Sequence, residues 1–500
     1  MDISWRVLEE LGADRFAAVR RQTIFDCCKW DPQVEDVATL APFPFVLKRD
    51  AWLNLSEWAE RLAREALLME GALLQRPELH RELGLPRAVC TALRGLGNPG
   101  QPAASPRVMR FDFHFTTEGW RISEANTDVP GGFNEASGFT RLMAGHYPGT
   151  ELCGDPAQAL ADAIRSRAGE GATVALIHAT GFIDDRQVMT FLGRHFERCG
   201  LRTVLAGPDH LRWRERRAFV ASDWFSGPVD FVFRFFPGEW LPQLPRPCGW
   251  PHLFGDCDTP LCNPATALLT QSKRLPLVWD RLGTSLVTWR QMLPETRDVR
   301  DVTGRAWPEW VLKPVLGRVG DSIGLHGATS AKDWTLIRRS ARWHPRAWVA
   351  QRRFEVVPIE TAAGPVFPCL GVYTIGGRAA GVYGRIARNG LIDYRAQDIA
   401  VLKECVCPVA RESRVPSQPA HDPAPSLHPA PHPTGTGCLG DGRGLPKLLS
   451  RLAPLNLAGG DSLSPGSGDE PSPPRASWAE EAAGFHGFHA QQAIGYERFP

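Results

Sequence analysis

Lysine is scarce in this chain. Of 57 basic residues only seven are lysine: Lys29, Lys48, Lys273, Lys313, Lys332, Lys403 and Lys447. Coding bias in a GC-rich genome accounts for such a skew, and it makes each lysine worth locating. Net charge is also small. At +2 over 500 residues there is no broad basic field for nucleic acid or an anionic membrane surface. No apolar run reaches the ~18 residues that a membrane-spanning helix needs, so none is expected. The twelve cysteines include no C-x-x-C pair, and Cys27 and Cys28 are adjacent. That spacing excludes a disulfide framework and a structural zinc site as working readings. The opening stretch MDISWRVLEELGADRF is amphipathic and acidic, unlike a signal peptide. A reduced, cytoplasmic setting is therefore expected. Both G-x-G-x-x-G and the Walker A pattern are missing, which removes the two commonest nucleotide-binding fingerprints.

What is present is an ordinary globular balance, with 43% hydrophobic and 22% charged residues over 500, enough for two to four domains. Residues 1–100 read as mostly helical. Leu53 to Leu74 carries apolar residues at three- and four-residue intervals. Residues 107–126 alternate with period two, which predicts a hairpin, with a three-residue loop at 117–119 and Gly119 in the left-handed position. Residues 173–206 read strand, helix, strand, a βαβ unit with parallel pairing. FVFRFF at 231–236 reads as a further strand, and 264–282 as a helix carrying Lys273. WVLKPVLGRVGDSIGLHG at 310–327 reads as a strand, a glycine-rich loop and another strand. Three more strands are expected in 348–357, 370–377 and 381–387. From about residue 405 the composition changes. Residues 405–500 hold 15 prolines and 12 glycines with no helical or strand period. That fits a disordered tail, or an out-of-frame reading of GC-rich DNA, and composition does not separate the two.

Two constellations carry chemistry. Pairing the hairpin across 117–119 places Asp112 opposite Glu124 and Arg110 opposite Asn126. Residues i and i+2 share a face, so these four converge on one patch while Phe111, Phe113 and Phe115 turn away. Opposed carboxylates destabilise a strand pair unless something neutralises them. A Mg²⁺ ion would do so through oxygen ligands, and a solvated face with a cross-strand ion pair is the plainer alternative. The second constellation is Lys313, near a strand end, followed by PVLGRVGDSIG. Gly317, Gly320 and Gly324 permit close backbone approach to a phosphate. Lys313 could reach that phosphate as a point charge and Arg318 could add a contact. An ordinary hairpin turn has the same look.

In order and spacing these pieces resemble the glutathionylspermidine synthase family. The residues that carry the resemblance are RFDF at 110–113, EANTDVP at 124–130, FRFFPGEWL at 233–241, NPATALLTQSKRLPLVWD at 263–280, LKPVLGRVG at 312–320, VAQRRFE at 349–355 and GLIDYRAQDIAV at 390–401. It covers roughly residues 20–404 and does not extend to the amidase domain of some bifunctional members, so no amidase activity is expected. The resemblance implies an ATP-grasp fold of mixed α+β and α/β character. In that reading 1–100 is a helical region and 101–150 the metal-binding hairpin. A βαβ pre-ATP-grasp-like layer spans 151–260, the nucleotide-binding lobe 261–404 and a disordered tail 405–500. It implies Mg²⁺ ligands Asp112, Glu124 and Asn126, and ATP-phosphate contacts from Lys273 and Lys313. Gly317, Arg318 and Gly320 would lie in the closing loop, and Gln351 near the adenine. Arg110 and Arg395 would act on the transferred phosphoryl group, although Tyr394-Arg395-Ala396 departs from the family's Ser-Arg-Phe. The implied activity is an ATP-dependent, ADP-forming carboxylate–amine ligase acting through an acyl phosphate. Its partners would be a small carboxylate and a small amine, with a homodimer as the implied assembly. An ATP-grasp kinase and an inactive nucleotide-binding scaffold are the alternatives. Asp128, Glu135 and Glu239 stand out as acidic groups that could face an amine, or equally serve as surface or supporting residues.

Overall fold

The computed structural model describes residues 4–405 except 32, 35–36, 97–104, 303 and 318–321. The expected tail, Arg318 and Gly320 therefore lie outside the described residues. The elements that build the site are, in chain order, α1 (Ala13–Phe25), α2 (Arg49–Leu74), β1 (Val108–Thr116), β2 (Gly119–Asn126), α3 (Pro156–Ala168), β3 (Thr173–His178), α4 (Ile183–Arg198), β4 (Arg202–Ala206), β5 (Phe231–Phe235), β6 (Trp310–Pro314), α5 (Ala331–Trp343), β7 (Trp348–Arg352), β8 (Phe367–Ile375), β9 (Arg378–Ala387) and β10 (Gln397–Ile399).

Three sheets matter. A five-stranded antiparallel sheet runs β10-β9-β8-β1-β2, so the hairpin and strands some 250 residues later share one ladder. A parallel sheet runs from Leu261–Cys262 through β5 and β3 to β4. The pairing of β3 with β4, from Thr173↔Arg202 to Ile177↔Ala206, is the parallel βαβ unit expected from the alternation. A small antiparallel sheet pairs β6 and Thr296–Arg297 to either side of β7.

α2 forms because Trp52, Leu55, Ala59, Leu62, Ala66, Met69 and Leu73 recur at helical spacing and are all buried. That stripe packs on β1, β8 and β9. Each fully buried leucine there stabilises by about 1.5–3 kcal/mol. One face of the five-stranded sheet is apolar: Phe111, Phe113, Ile122, Leu370, Val372, Val382 and Ile386 join the same core as α2. Its opposite face carries the polar residues described below. A single pleated sheet can thus bury one face in the core and offer the other to a ligand.

Three expectations are corrected. The turn of the hairpin holds two residues, Thr117 and Glu118, because Thr116 already pairs with Gly119 at φ +92°. The register recovers through a bulge between the Phe113↔Ile122 and Asp112↔Glu124 pairs, with Ser123 as the extra residue. Lys273 is not within a helix. The α-helix Leu268–Gln271 stops at Ser272, whose ψ is extended, and Pro276 directs the chain into a short 3₁₀ turn. Among the described residues after the glycine-rich loop, 322–327 form no full strand; Gly324 makes an isolated bridge to Leu312.

Candidate functional site

The pleat of β1 puts Arg110 and Asp112 on the polar face of the five-stranded sheet, and both are buried. Arg110 grips Asp112 in a bidentate pair, Nε to Oδ1 at 2.7 Å and Nη2 to Oδ2 at 2.9 Å. Its Nη1 donates to the Gly131 carbonyl at 2.8 Å. Gly371, opposite Asp112 on β8, is required here: a Cβ would sit 2.7 Å from Arg110 Cδ. On β2 the Asn126 amide donates to Asp112 Oδ2 at 3.2 Å and to Glu124 Oε1 at 3.4 Å. The predicted convergence of Arg110, Asp112, Glu124 and Asn126 is therefore observed.

The two lysines arrive from different elements. Lys273 Nζ lies 3.1 Å from Glu124 Oε2 and donates to the Gly317 carbonyl at 2.8 Å. Lys313, near the end of β6, donates to the Ser123 carbonyl at 2.8 Å and to Gln351 Oε1 on β7 at 2.7 Å. Lys273, Lys313, Gly317 and Gln351 thus join the hairpin patch. Burial alone would raise the Glu124 carboxyl; Lys273, then Lys313 and Arg110, outweigh it and hold Glu124 well below the usual carboxylate range. Burial pushes the Lys313 ammonium down to about 8, with Glu124 opposing and Lys273 adding to the shift.

Arg395 is exposed in the segment before β10, its guanidinium over the Tyr394 ring at 5.1 Å. The second arginine on the polar face is Arg385 of β9, half-buried, 5.7 Å from the Tyr383 ring centroid and without an ion-pair partner among the described residues. Period two in GVYGRIA puts Tyr383 and Arg385 on one face of the strand. Sequence gives no sign, however, that this face adjoins Arg110. Also unforeseen is a buried cluster behind Arg110. Lys29 Nζ lies 2.8 Å from Glu135 Oε1 and 3.2 Å from Asp398 Oδ2, and the Tyr383 hydroxyl donates to Asp398 Oδ1 at 2.7 Å. Burial and then Glu135 push the Asp398 carboxyl up to about 6 against the pull of Lys29. Asp128, read as a group that could face an amine, is instead fully buried against Arg234.

The donor set suits a hard divalent cation. Asp112 and Glu124 offer carboxylate oxygens, and the Asn126 amide, reversed, offers a third oxygen. Among the described residues no cluster of three or more His, Cys, Asp or Glu side chains could hold a metal alone. The protein thus supplies part of a coordination sphere, which fits Mg²⁺ completed by water and phosphate oxygens.

A mixed α+β protein with a buried patch of paired carboxylates, lysines and arginines on one sheet face has the makings of an anion-activating enzyme. Residues 44–400 match the family described as glutathionylspermidine synthase preATP-grasp, and the chain belongs to that family. Membership places it among the ATP-dependent ligases, or synthetases. No curated protein matches the sequence. A solved structure from Methylobacillus flagellatus KT, provisionally described as a gamma-glutamylcysteine synthetase, is 12% identical, covers 68% of this chain and 86% of its own, and has a TM-score of 0.37. Among the described residues no helix is long and apolar enough to cross a membrane.

Proposed function

We propose that this chain is an ADP-forming carboxylate–amine ligase of the glutathionylspermidine synthase type, joining a small carboxylate to a small amine through an acyl phosphate. The observation that supports it is the meeting of Asp112, Glu124, Asn126, Lys273, Lys313 and Arg110 on one sheet face. Asp112, Glu124 and Asn126 would hold Mg²⁺, which when bound neutralises developing charge on the phosphoryl oxygens. Lys273 and Lys313 now spend their donors on the Gly317 and Ser123 carbonyls and on Gln351. ATP phosphate oxygens would be stronger acceptors for the same ammonium groups. Gln351 would then stand beside the nucleotide. Arg110, fixed by Asp112 and the Gly131 carbonyl, presents a preoriented guanidinium to the carboxylate as it attacks the γ-phosphorus. Arg385 faces the same patch and would add a second positive group. A carboxylate oxygen bonds to phosphorus as ADP leaves. The amine nitrogen then attacks the acyl carbon, the bond from that carbon to the phosphate oxygen breaks, the nitrogen's proton passes to solvent or the departing phosphate, and the amide remains. No protein nucleophile takes part.

The test is an ADP-release screen with Mg-ATP against carboxylates and amines in pairs, with mass spectrometry of the product. ADP coupled to an amide is expected. ADP with a stable phosphorylated product would make the protein a kinase instead. Asp112→Ala and Glu124→Ala are each expected to lower turnover at least about 100-fold, with circular dichroism unchanged. Wild-type turnover in a folded variant would remove this site from the chemistry.

A further inference from the structure

We propose that Tyr383 is a positioning residue for Arg110, itself anchored by Asp398 and Lys29. The inference rests on the proposed role of Arg110. The Arg110 guanidinium carbon lies 5.3 Å from the centre of the Tyr383 ring. That ring is locked from two sides. Its hydroxyl donates to Asp398 on the neighbouring strand β10. One face of it packs on the backbone at Gly132, where φ is +97° and a Cβ would come within 2.7 Å of the ring. The preceding carbonyl, Gly131, accepts from Arg110 and from the Tyr373 hydroxyl. Arg110 is therefore boxed by a carboxylate, a carbonyl and an aromatic face.

The anchor behind Tyr383 is costly, which argues that it serves something. Lys29 comes from the segment after α1 and lies among half-buried Asp31 and buried Glu135 and Asp398 at 3.4, 2.8 and 3.2 Å, its own side chain only 12% exposed. Glu135 Oε2 and Asp31 Oδ1 are buried with no hydrogen-bond partner, so carboxylate is in excess. Apolar side chains of similar volume often give equal or greater stability than such a buried ionic cluster. What the cluster does supply is direction. It fixes Asp398, which fixes the Tyr383 hydroxyl, which fixes the ring under Arg110. A free arginine side chain samples many rotamers, and holding it in one before substrate arrives spares that entropy loss in the reaction. The ring also gives a cation–π contact that a desolvated site strengthens.

The experiment measures kcat, KM and Mg-ATP affinity for Tyr383→Phe, Tyr383→Leu, Lys29→Arg and Lys29→Met. Hydrogen exchange of the Arg110 Nε–H is followed by NMR, with its resonance assigned from Arg110→Lys. Tyr383→Leu is expected to lower kcat about 100-fold and Tyr383→Phe about tenfold, with Mg-ATP affinity kept. Lys29→Arg should retain more activity than Lys29→Met. Arg110 Nε–H exchange should quicken at least about tenfold in Tyr383→Leu. In an Arg110→Ala background Tyr383→Leu should cause no further loss, because the tyrosine acts through the arginine. Multiplying losses in that background, or unchanged exchange, would overturn the proposal. Faster exchange in a protein that makes no ADP with any substrate pair would leave the positioning role standing and refute the ligase reading.

Discussion

At Lys313 a buried ammonium sits where the proposed nucleotide phosphate would restore its charge. Burial pushes its pKa down to about 8, with Glu124 pulling it up and Lys273 down. Above that pH the ligand-free protein carries a neutral amine there. Bound phosphate favours the charged form and raises the pKa again. The nucleotide complex then holds more protons than the free protein, so binding takes up protons and affinity falls as pH rises, by about tenfold per unit until the bound pKa is reached. Isothermal titration of Mg-ATP at about pH 9, in two buffers of different ionisation enthalpy, should report that uptake. Lys313→Met should abolish it. Proton release, or an enthalpy independent of buffer, would contradict the assignment of Lys313 to phosphate.

Among the elements, the hairpin shows what the sequence could and could not reveal. Period-two alternation separates Arg110 and Asp112 from Phe111 and Phe113 correctly, because the pleat alone decides it. The pairing of Asp112 with Glu124 is also as expected, but through two compensating differences: the turn is one residue shorter and a bulge adds one at Ser123. The bulge explains how Ile122 faces the core while Glu124, two residues on, faces the site. It also takes the Ser123 carbonyl out of the ladder and gives it to Lys313, and sets the Ser123 hydroxyl 3.0 Å from His114 Nε2. Deleting Ser123 would regularise the ladder with Asp112 still opposite Glu124. The variant is expected to fold with a stability loss of about 1 kcal/mol and to bind Mg-ATP about tenfold more weakly. Unfolding on deletion would mean that the bulge sets the register. Tyr383, Arg385 and Lys29 escaped notice for a different reason. Their link to Arg110 runs through β8 and β9, some 260 residues away in sequence, or through the segment after α1. No local pattern encodes such a pairing. Lys273 is legible in the sequence as a residue but not as an element, since the helical period over 264–282 is cut by a proline turn that only packing resolves.

At the scale of the molecule, the five-stranded sheet that carries the candidate site is tied to the parallel sheet through Asp128 and Arg234. Both side chains are completely buried. Asp128 follows β2 and Arg234 lies on β5; Arg234 Nε also donates to the Asn263 carbonyl at 2.8 Å, and the Gly238 amide donates to Asp128 Oδ2 at 3.0 Å. Asn263 closes the knot by donating to the carbonyls of Val108, Thr127 and Asp128 at 2.7–3.0 Å. The turn so held runs on to Gly131, whose carbonyl orients Arg110. Replacing Asp128 by asparagine keeps the shape and leaves the Arg234 charge buried without a counter-charge. Such a loss costs about 3–5 kcal/mol. A fair control is the exposed pair of Glu82 with Arg281, which are 50% and 45% exposed, where loss of the charge should cost under about 1 kcal/mol. Urea unfolding of Asp128→Asn and Glu82→Gln, with the slope against denaturant compared to wild type, should separate the two by several kcal/mol at similar slope. Equal, small losses would show that the two sheets are held together by their apolar contacts alone, and that Arg234 finds water or another acceptor when Asp128 is gone.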